Sequence, residues 1–134
     1  MIVVDTNIIG YAYLSSERTE QAERAFLKDS EWVAPLLWRS EFRNVLAQYI
    51  RRGVLSVEEA EQVMDEAQAL MVGQEYEAVS SDVLRLAARS GCTAYDCEFV
   101  ALAHGLGVAL VTVDREVLRE FPEIAVGLEE YAGS

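Results

Sequence analysis

Hydrophobic positions in this chain come in short β-branched runs separated by longer stretches of helical period. Ile2-Val3-Val4 opens the chain and meets an acid, Asp5, at once. β-Branched side chains suit a pleated backbone, so Ile2–Val4 is predicted as a strand. Trp32-Val33-Ala34 predicts a second strand, ended by Pro35, and residues 76–79 a third. Residues 108–113 form a near-continuous apolar run, the pattern of a strand covered on both faces. Residues 124–126 predict an edge strand. Between these runs the period changes. Residues 16–28 carry the stripe Ala22, Ala25 and Phe26, which predicts a helix. Residues 36–52 predict a long helix stopped by Gly53. Ser56 with Glu59 forms a capping-box pattern that opens another, to about Val72 before Gly73. Residues 81–89 predict a helix ended by Gly91. Thr93 with Asp96 suggests a second capping box, with a helix to His104 broken by Gly105 and Gly107. Arg115–Glu120 predicts a short helix, and Glu129 and Glu130 fall in a tail with no predicted order. Strands alternating with helices predict an α/β fold: a three-layer arrangement with a parallel sheet flanked by helices.

The length changes this picture little: 134 residues predict a single domain, 1–134, with a full core. No repeat, low-complexity stretch or linker interrupts it. No apolar run approaches the roughly 20 residues of a membrane helix, and the four-residue apolar start is too short for a signal peptide. Cys92 and Cys97 have neither the count nor the spacing of a disulfide framework or a zinc site, so free thiols in a reducing cytoplasm are expected.

Charge adds more. Two separate apolar runs end in an aspartate, Asp5 and Asp114. Each reads equally well as a helix N-cap or Asx turn and as a carboxylate aimed into the crevice at the C-terminal ends of parallel strands. If the two strands are neighbours, the two acids face each other, and like charges at close range raise each other's pKa unless a cation joins them. Asp96 reads as half of a capping box and also as an acid presented at a helix N-terminus. Glu41 shares a helix face with Leu37 and Val45, four residues before and after it, where an unpaired carboxylate is costly to bury. Together Asp5, Glu41, Asp96 and Asp114 suggest a hard-oxygen cage for Mg²⁺ or Mn²⁺, and hence a phosphoryl or phosphodiester substrate. Glu98 and Glu116 lie near that set in sequence. His104 is the sole histidine, so no Ser-His-Asp or Cys-His catalysis can be built without it, and a helix C-terminus is a sufficient reason for its place. No P-loop or G-x-G-x-x-G pattern supports nucleotide binding.

The overall balance, 23 acids against 11 bases for a net charge of −12, argues against a nucleic-acid partner. The bases are nevertheless concentrated: Arg39, Arg43, Arg51 and Arg52 fall in one predicted helix whose only acid is Glu41. Arg39 and Arg43 are therefore candidate phosphate contacts, equally readable as ion-pair partners of neighbouring acids.

Several segments resemble a known family. Met1-Ile2-Val3-Val4-Asp5-Thr6-Asn7 resembles the opening of PIN-domain ribonucleases, residues 93–103 their third-acid motif, and Leu110-Val111-Thr112-Val113-Asp114 their closing strand motif. Ser40-Glu41-Phe42-Arg43-Asn44-Val45-Leu46 fits the second acid. The compact size resembles VapC-type toxins of toxin–antitoxin pairs. The resemblance implies a PIN-like sheet flanked by helices and a Mg²⁺- or Mn²⁺-dependent endoribonuclease. It also implies a homodimer, an antitoxin partner and a metal-binding quartet of Asp5, Glu41, Asp96 and Asp114, supported by Asn7 and Thr112. Metal-assisted hydrolysis of RNA should leave a 5′-phosphate. The alternatives are a metal-dependent phosphatase, which would want an acid where Asn7 stands, and a PIN-like interaction module without activity. Trp32, Trp38 and Tyr49 would supply the surface of such a module if they are not core.

Overall fold

In the computed structural model, residues 1–133 are described. Five strands form one parallel sheet in the order β3-β2-β1-β4-β5: β1 Ile2–Val4, β2 Trp32–Pro35, β3 Glu75–Tyr76, β4 Leu110–Thr112 and β5 Ala125–Gly127. β1 and β4 pair in register, Val3 with Leu110 and Val4 with Val111. Strand order therefore reverses between β1 and β4. In an open parallel sheet this reversal opens a crevice beyond the strands' C-terminal ends.

Successive side chains of a strand point to opposite faces. Every residue of β1, β2 and β4 is buried, so helices must cover both faces. The helices are α1 Thr6–Tyr13, α2 Thr19–Lys28, α3 Leu37–Arg51, α4 Val57–Met71, α5 Ser80–Ala88, α6 Ala94–Leu106, α7 Arg115–Glu120 and α8 Leu128–Ala132. α1 packs on α2, α3 and α4; α6 lies along β1, β2 and β4 with α5 against it. The core runs through Val3, Val4, Ile8, Val33, Phe42, Val100, Val111 and Phe121. Trp32 and Trp38 belong to it and form no exposed surface.

Where the architecture departs from the sequence expectations, the causes are local. α1 had no predicted counterpart. Its run Ile8-Ile9-Gly10-Tyr11 is poor in helix formers, and the helix is held by its cap and by burial of Ile8 and Ile9. The predicted helix 16–28 begins only at Thr19. The strand predicted at 76–79 is displaced to Glu75–Tyr76, sharing only Tyr76 with the expectation, and of the apolar run 108–113 only Leu110–Thr112 forms strand. Gly105 lies inside α6; the break is Gly107 alone, whose φ of 68° is left-handed and lets its N–H reach back to Ala103 and His104. Glu129 and Glu130, predicted to fall in a tail, belong to α8, Leu128–Ala132. Leu128 is buried there, and Lys28 ties the helix to α2 through a 2.9 Å bond to the Tyr131 carbonyl. Cys92 and Cys97 are free and buried, and burial pushes the Cys92 thiol up to about 11, so it is a poor nucleophile at neutral pH.

Candidate active site

A cleft of about 320 Å³ opens at the β1/β4 reversal, and Asp5, Glu41, Asp96 and Asp114 all line it. Four elements deliver these side chains. Asp5 follows β1 and caps α1, its Oδ1 accepting from Ile8 N–H at 3.2 Å. Asp114 follows β4 and caps α7, its Oδ1 accepting from Val117 N–H at 2.9 Å. Both sequence readings of these aspartates hold together: one oxygen caps a helix, and the side chain still faces the cleft. Glu41 comes from α3. Asp96 comes from the first turn of α6, where the Thr93 hydroxyl accepts from Asp96 N–H at 3.1 Å. Only this forward half of the expected capping box forms. Asp96's carboxylate stays close enough to Thr93 to be favoured slightly in its ionised form, but it faces the cleft.

Two hydroxyls hold this arrangement, and they belong to the only polar residues in the core among those described, Thr6 and Thr112. Thr6 Oγ1 donates to Glu41 Oε1 at 2.6 Å, tying α1 to α3. Thr112 Oγ1 accepts from Asp114 N–H at 3.0 Å, so its own hydrogen is directed to Asp5 Oδ2. The last residue of β4 thus links the first acid to the fourth. Thr112, expected to support the acids, hydrogen-bonds the Asp5 carboxylate and the Asp114 N–H. Thr6 went unnoticed, although a threonine following Asp5 on a helix full of apolar residues was the available signal. Asn7 lines the cleft without a hydrogen bond among the described residues.

No lysine, arginine or histidine lines the cleft. Burial raises the Asp5 carboxyl pKa, against the Thr112 and backbone hydrogen bonds that lower it. Burial also raises Glu41, and the charges of Asp96, Asp5 and Glu98 add to it. Asp96 is raised by burial first and then by Asp114, with Glu116 contributing. Glu98 and Glu116 thus act on the site through charge from outside its lining. A bound divalent cation would reverse every one of these shifts. The donor set fits such a cation: all hard oxygens, with Glu41 Oε2, Asp114 Oδ2 and both Asp96 oxygens carrying no hydrogen bond among the described residues. As the side chains lie, no three of the described acids, cysteines or histidines stand close enough to share one ion. Like charges without a counter-ion separate, and the Glu41 and Asp5 oxygens are drawn to hydroxyls.

The arginines expected beside the site lie elsewhere. α3 turns Glu41, Asn44, Val45 and Gln48 to the cleft, a stripe of three- and four-residue steps. Arg39 and Arg43 are each two residues from Glu41, about 200° round a helix of 3.6 residues per turn, and neither lines the cleft. Arg39 forks onto Glu75 on β3, with both nitrogen–oxygen distances 2.6 Å, and Trp38 Nε1 donates to the same carboxylate at 2.7 Å. Arg43 is exposed and forms no ion pair among the described residues. Asn44 and Gln48 take the place of the bases on the cleft wall, where helical spacing from Glu41 would have found them. His104 sits at the opposite end of β4, in a hollow with Val108 and Ala109.

The PIN domain family matches residues 2–124 of this chain. Ribonuclease VapC3 from Pyrobaculum aerophilum is 38% identical over 127 residues, spanning 92% of this chain and 96% of that protein. Among solved structures, PAE2754 from Pyrobaculum aerophilum superimposes with a TM-score of 0.77 at 22% identity, covering 98% of this chain and 92% of that one. FitAcB from Neisseria gonorrhoeae superimposes with a TM-score of 0.70 at 17% identity, covering 96% and 98%. These two structures bear on the fold alone.

Proposed function

This chain belongs to the PIN domain family, and we propose that it is a metal-dependent endoribonuclease, the toxin of a toxin–antitoxin pair. The observation that carries the reading is the cleft: four carboxylates from four elements converge at the sheet's reversal point with no base among them. The identity to a protein named as a ribonuclease supports RNA as substrate. Asp5, Glu41, Asp96 and Asp114 would hold Mg²⁺ or Mn²⁺. Such a cation supplies charge neutralisation at the phosphate and a bound water of lowered pKa.

The chain's own groups do the rest. Thr112 and Thr6 each hold one carboxylate oxygen, of Asp5 and of Glu41 respectively, which limits the positions these side chains adopt. Asp96 faces the same cleft, where burial and the Asp114 charge raise its pKa in the metal-free protein. Asn7, Asn44 and Gln48 offer neutral amide donors along the wall, which can bind phosphate, ribose or base without adding charge. An antitoxin partner, a homodimer and a cytoplasmic location complete the proposal. No described helix is long and apolar enough to cross a membrane.

The test is cleavage of a labelled RNA with Mg²⁺ or Mn²⁺, comparing wild type, Asp96→Ala and wild type in EDTA. Cleavage is expected only in the first, with 5′-phosphate ends. EDTA-resistant cleavage, or 2′,3′-cyclic phosphate ends, would refute the mechanism.

A further inference from the structure

A second cleft adjoins the first. It is lined by Glu17, Arg18, Gln21, Thr112, Val113, Arg115, Leu118, Gly127, Leu128 and Glu129, and Thr112 belongs to both walls. The acid cleft holds no base, whereas this neighbour holds two. Arg115 follows Asp114 directly, at the start of α7, and Arg18 precedes α2. Both arginines are exposed, and neither forms an ion pair among the described residues, although Glu17 and Glu129 line the same cleft. Arg18 rests over the Tyr11 ring, 5.8 Å from its centroid, which steadies a guanidinium that has no carboxylate partner.

An RNA strand that places one phosphate over the four acids must lead its next phosphates out of that cleft. The α3 wall carries the amides Asn44 and Gln48, and the neighbouring cleft, which shares Thr112 as a lining residue, carries Arg18 and Arg115. A guanidinium without an ion-pair partner can donate two parallel hydrogen bonds to a phosphate. We infer that the Arg18–Arg115 cleft holds the backbone phosphates flanking the bond to be cut, and so sets which side of the site the strand leaves by. This inference rests on the ribonuclease reading and replaces Arg39 and Arg43 as its phosphate contacts. In a protein of net charge −12 the two arginines supply local donors beside the acid site, although Glu17 and Glu129 balance their charge within the cleft.

The experiment measures binding of a single-stranded, fluorescein-labelled RNA by anisotropy over a salt series, in an Asp96→Asn background that stops turnover. Arg18→Ala, Arg115→Ala and the double variant are compared with Arg43→Ala, an exposed arginine off both clefts. The slope of log affinity against log salt should fall by about 0.7 per lost contact, so about 1.4 for the double variant, and stay unchanged for Arg43→Ala. In the active background the double variant should raise KM on a long RNA with little change in kcat, and leave cleavage of a dinucleotide unaltered. An unchanged salt slope in the folded double variant, or an equal loss in Arg43→Ala, overturns the inference. Retained RNA affinity together with lost binding of an acidic peptide would assign the cleft to a protein partner and overturn it as well. A folded wild type that neither binds nor cleaves RNA would instead remove the ribonuclease reading beneath it.

Discussion

Thr112→Val isolates the hydroxyl that links the first and fourth acids. Valine keeps the shape of the side chain, and Thr112 is 1% exposed, so no water replaces what is lost. Two hydrogen bonds disappear: the one donated to the Asp5 carboxylate and the one accepted from Asp114 N–H at 3.0 Å. A bond to a charged group contributes about 1.5–3 kcal/mol and a neutral one about 1 kcal/mol, so the variant should lose about 3 kcal/mol. Thr112→Ser keeps the hydroxyl and removes one methyl, at a cost of about 1 kcal/mol. For a chain of this length these losses correspond to melting temperatures lower by about 10 °C and about 3 °C. The pH dependence supplies an internal check. The hydroxyl lowers the Asp5 pKa, so its contribution is present when Asp5 is ionised and fades as pH falls and the carboxyl protonates. The gap between wild type and Thr112→Val should therefore narrow on acidification. Chemical denaturation at neutral and acidic pH measures both effects. If valine costs no more than serine, or if the gap is independent of pH, the proposed link between the two acids is wrong.

Three further outcomes are expected. Asp96→Asn should abolish cleavage and, in EDTA at neutral pH, raise the melting temperature. Burial raises the Asp96 pKa in the folded state, so its contribution to stability is present at low pH and is lost as pH rises through that value. Wild type and variant should converge in acid, and a variant less stable than wild type in neutral EDTA would contradict the charge-repulsion account. Asn44→Ala and Gln48→Ala, at exposed positions, should leave stability within about 0.5 kcal/mol. Each should still reduce kcat/KM roughly tenfold in cleavage assays, the loss expected from one hydrogen bond to substrate. Leu128→Ala should cost about 3 kcal/mol in denaturant unfolding, because Leu128 docks α8 and is 1% exposed; a cost near zero would mean α8 does not hold the sheet edge.

The strand frame was legible because β1, β2 and β4 are buried on both faces and so read as unbroken apolar runs. The two aspartates at the ends of β1 and β4 were legible for the same reason: an acid closing such a run is conspicuous. Sequence could not show that β1 and β4 are neighbours, since 107 positions separate Asp5 from Thr112. α1 was hidden because burial and a cap, rather than propensity, hold it. The arginines misled because charge density along a helix says nothing about direction. The α3 stripe that faces the cleft carries amides, while Arg39 is spent on Glu75. Helical phase from Glu41 contained that information; counting charges did not.

The central strand β1 is synthesised before its partner β4, which comes only at Leu110–Thr112. Contacts so distant along the chain form late, after the entropy of closing a long loop has been overcome. On a ribosome, Asp5 emerges long before the Thr112 hydroxyl that orients it and the Asp114 that completes the set. The four-acid cleft therefore cannot close until Leu110 to Asp114 has been synthesised and β4 has paired with β1.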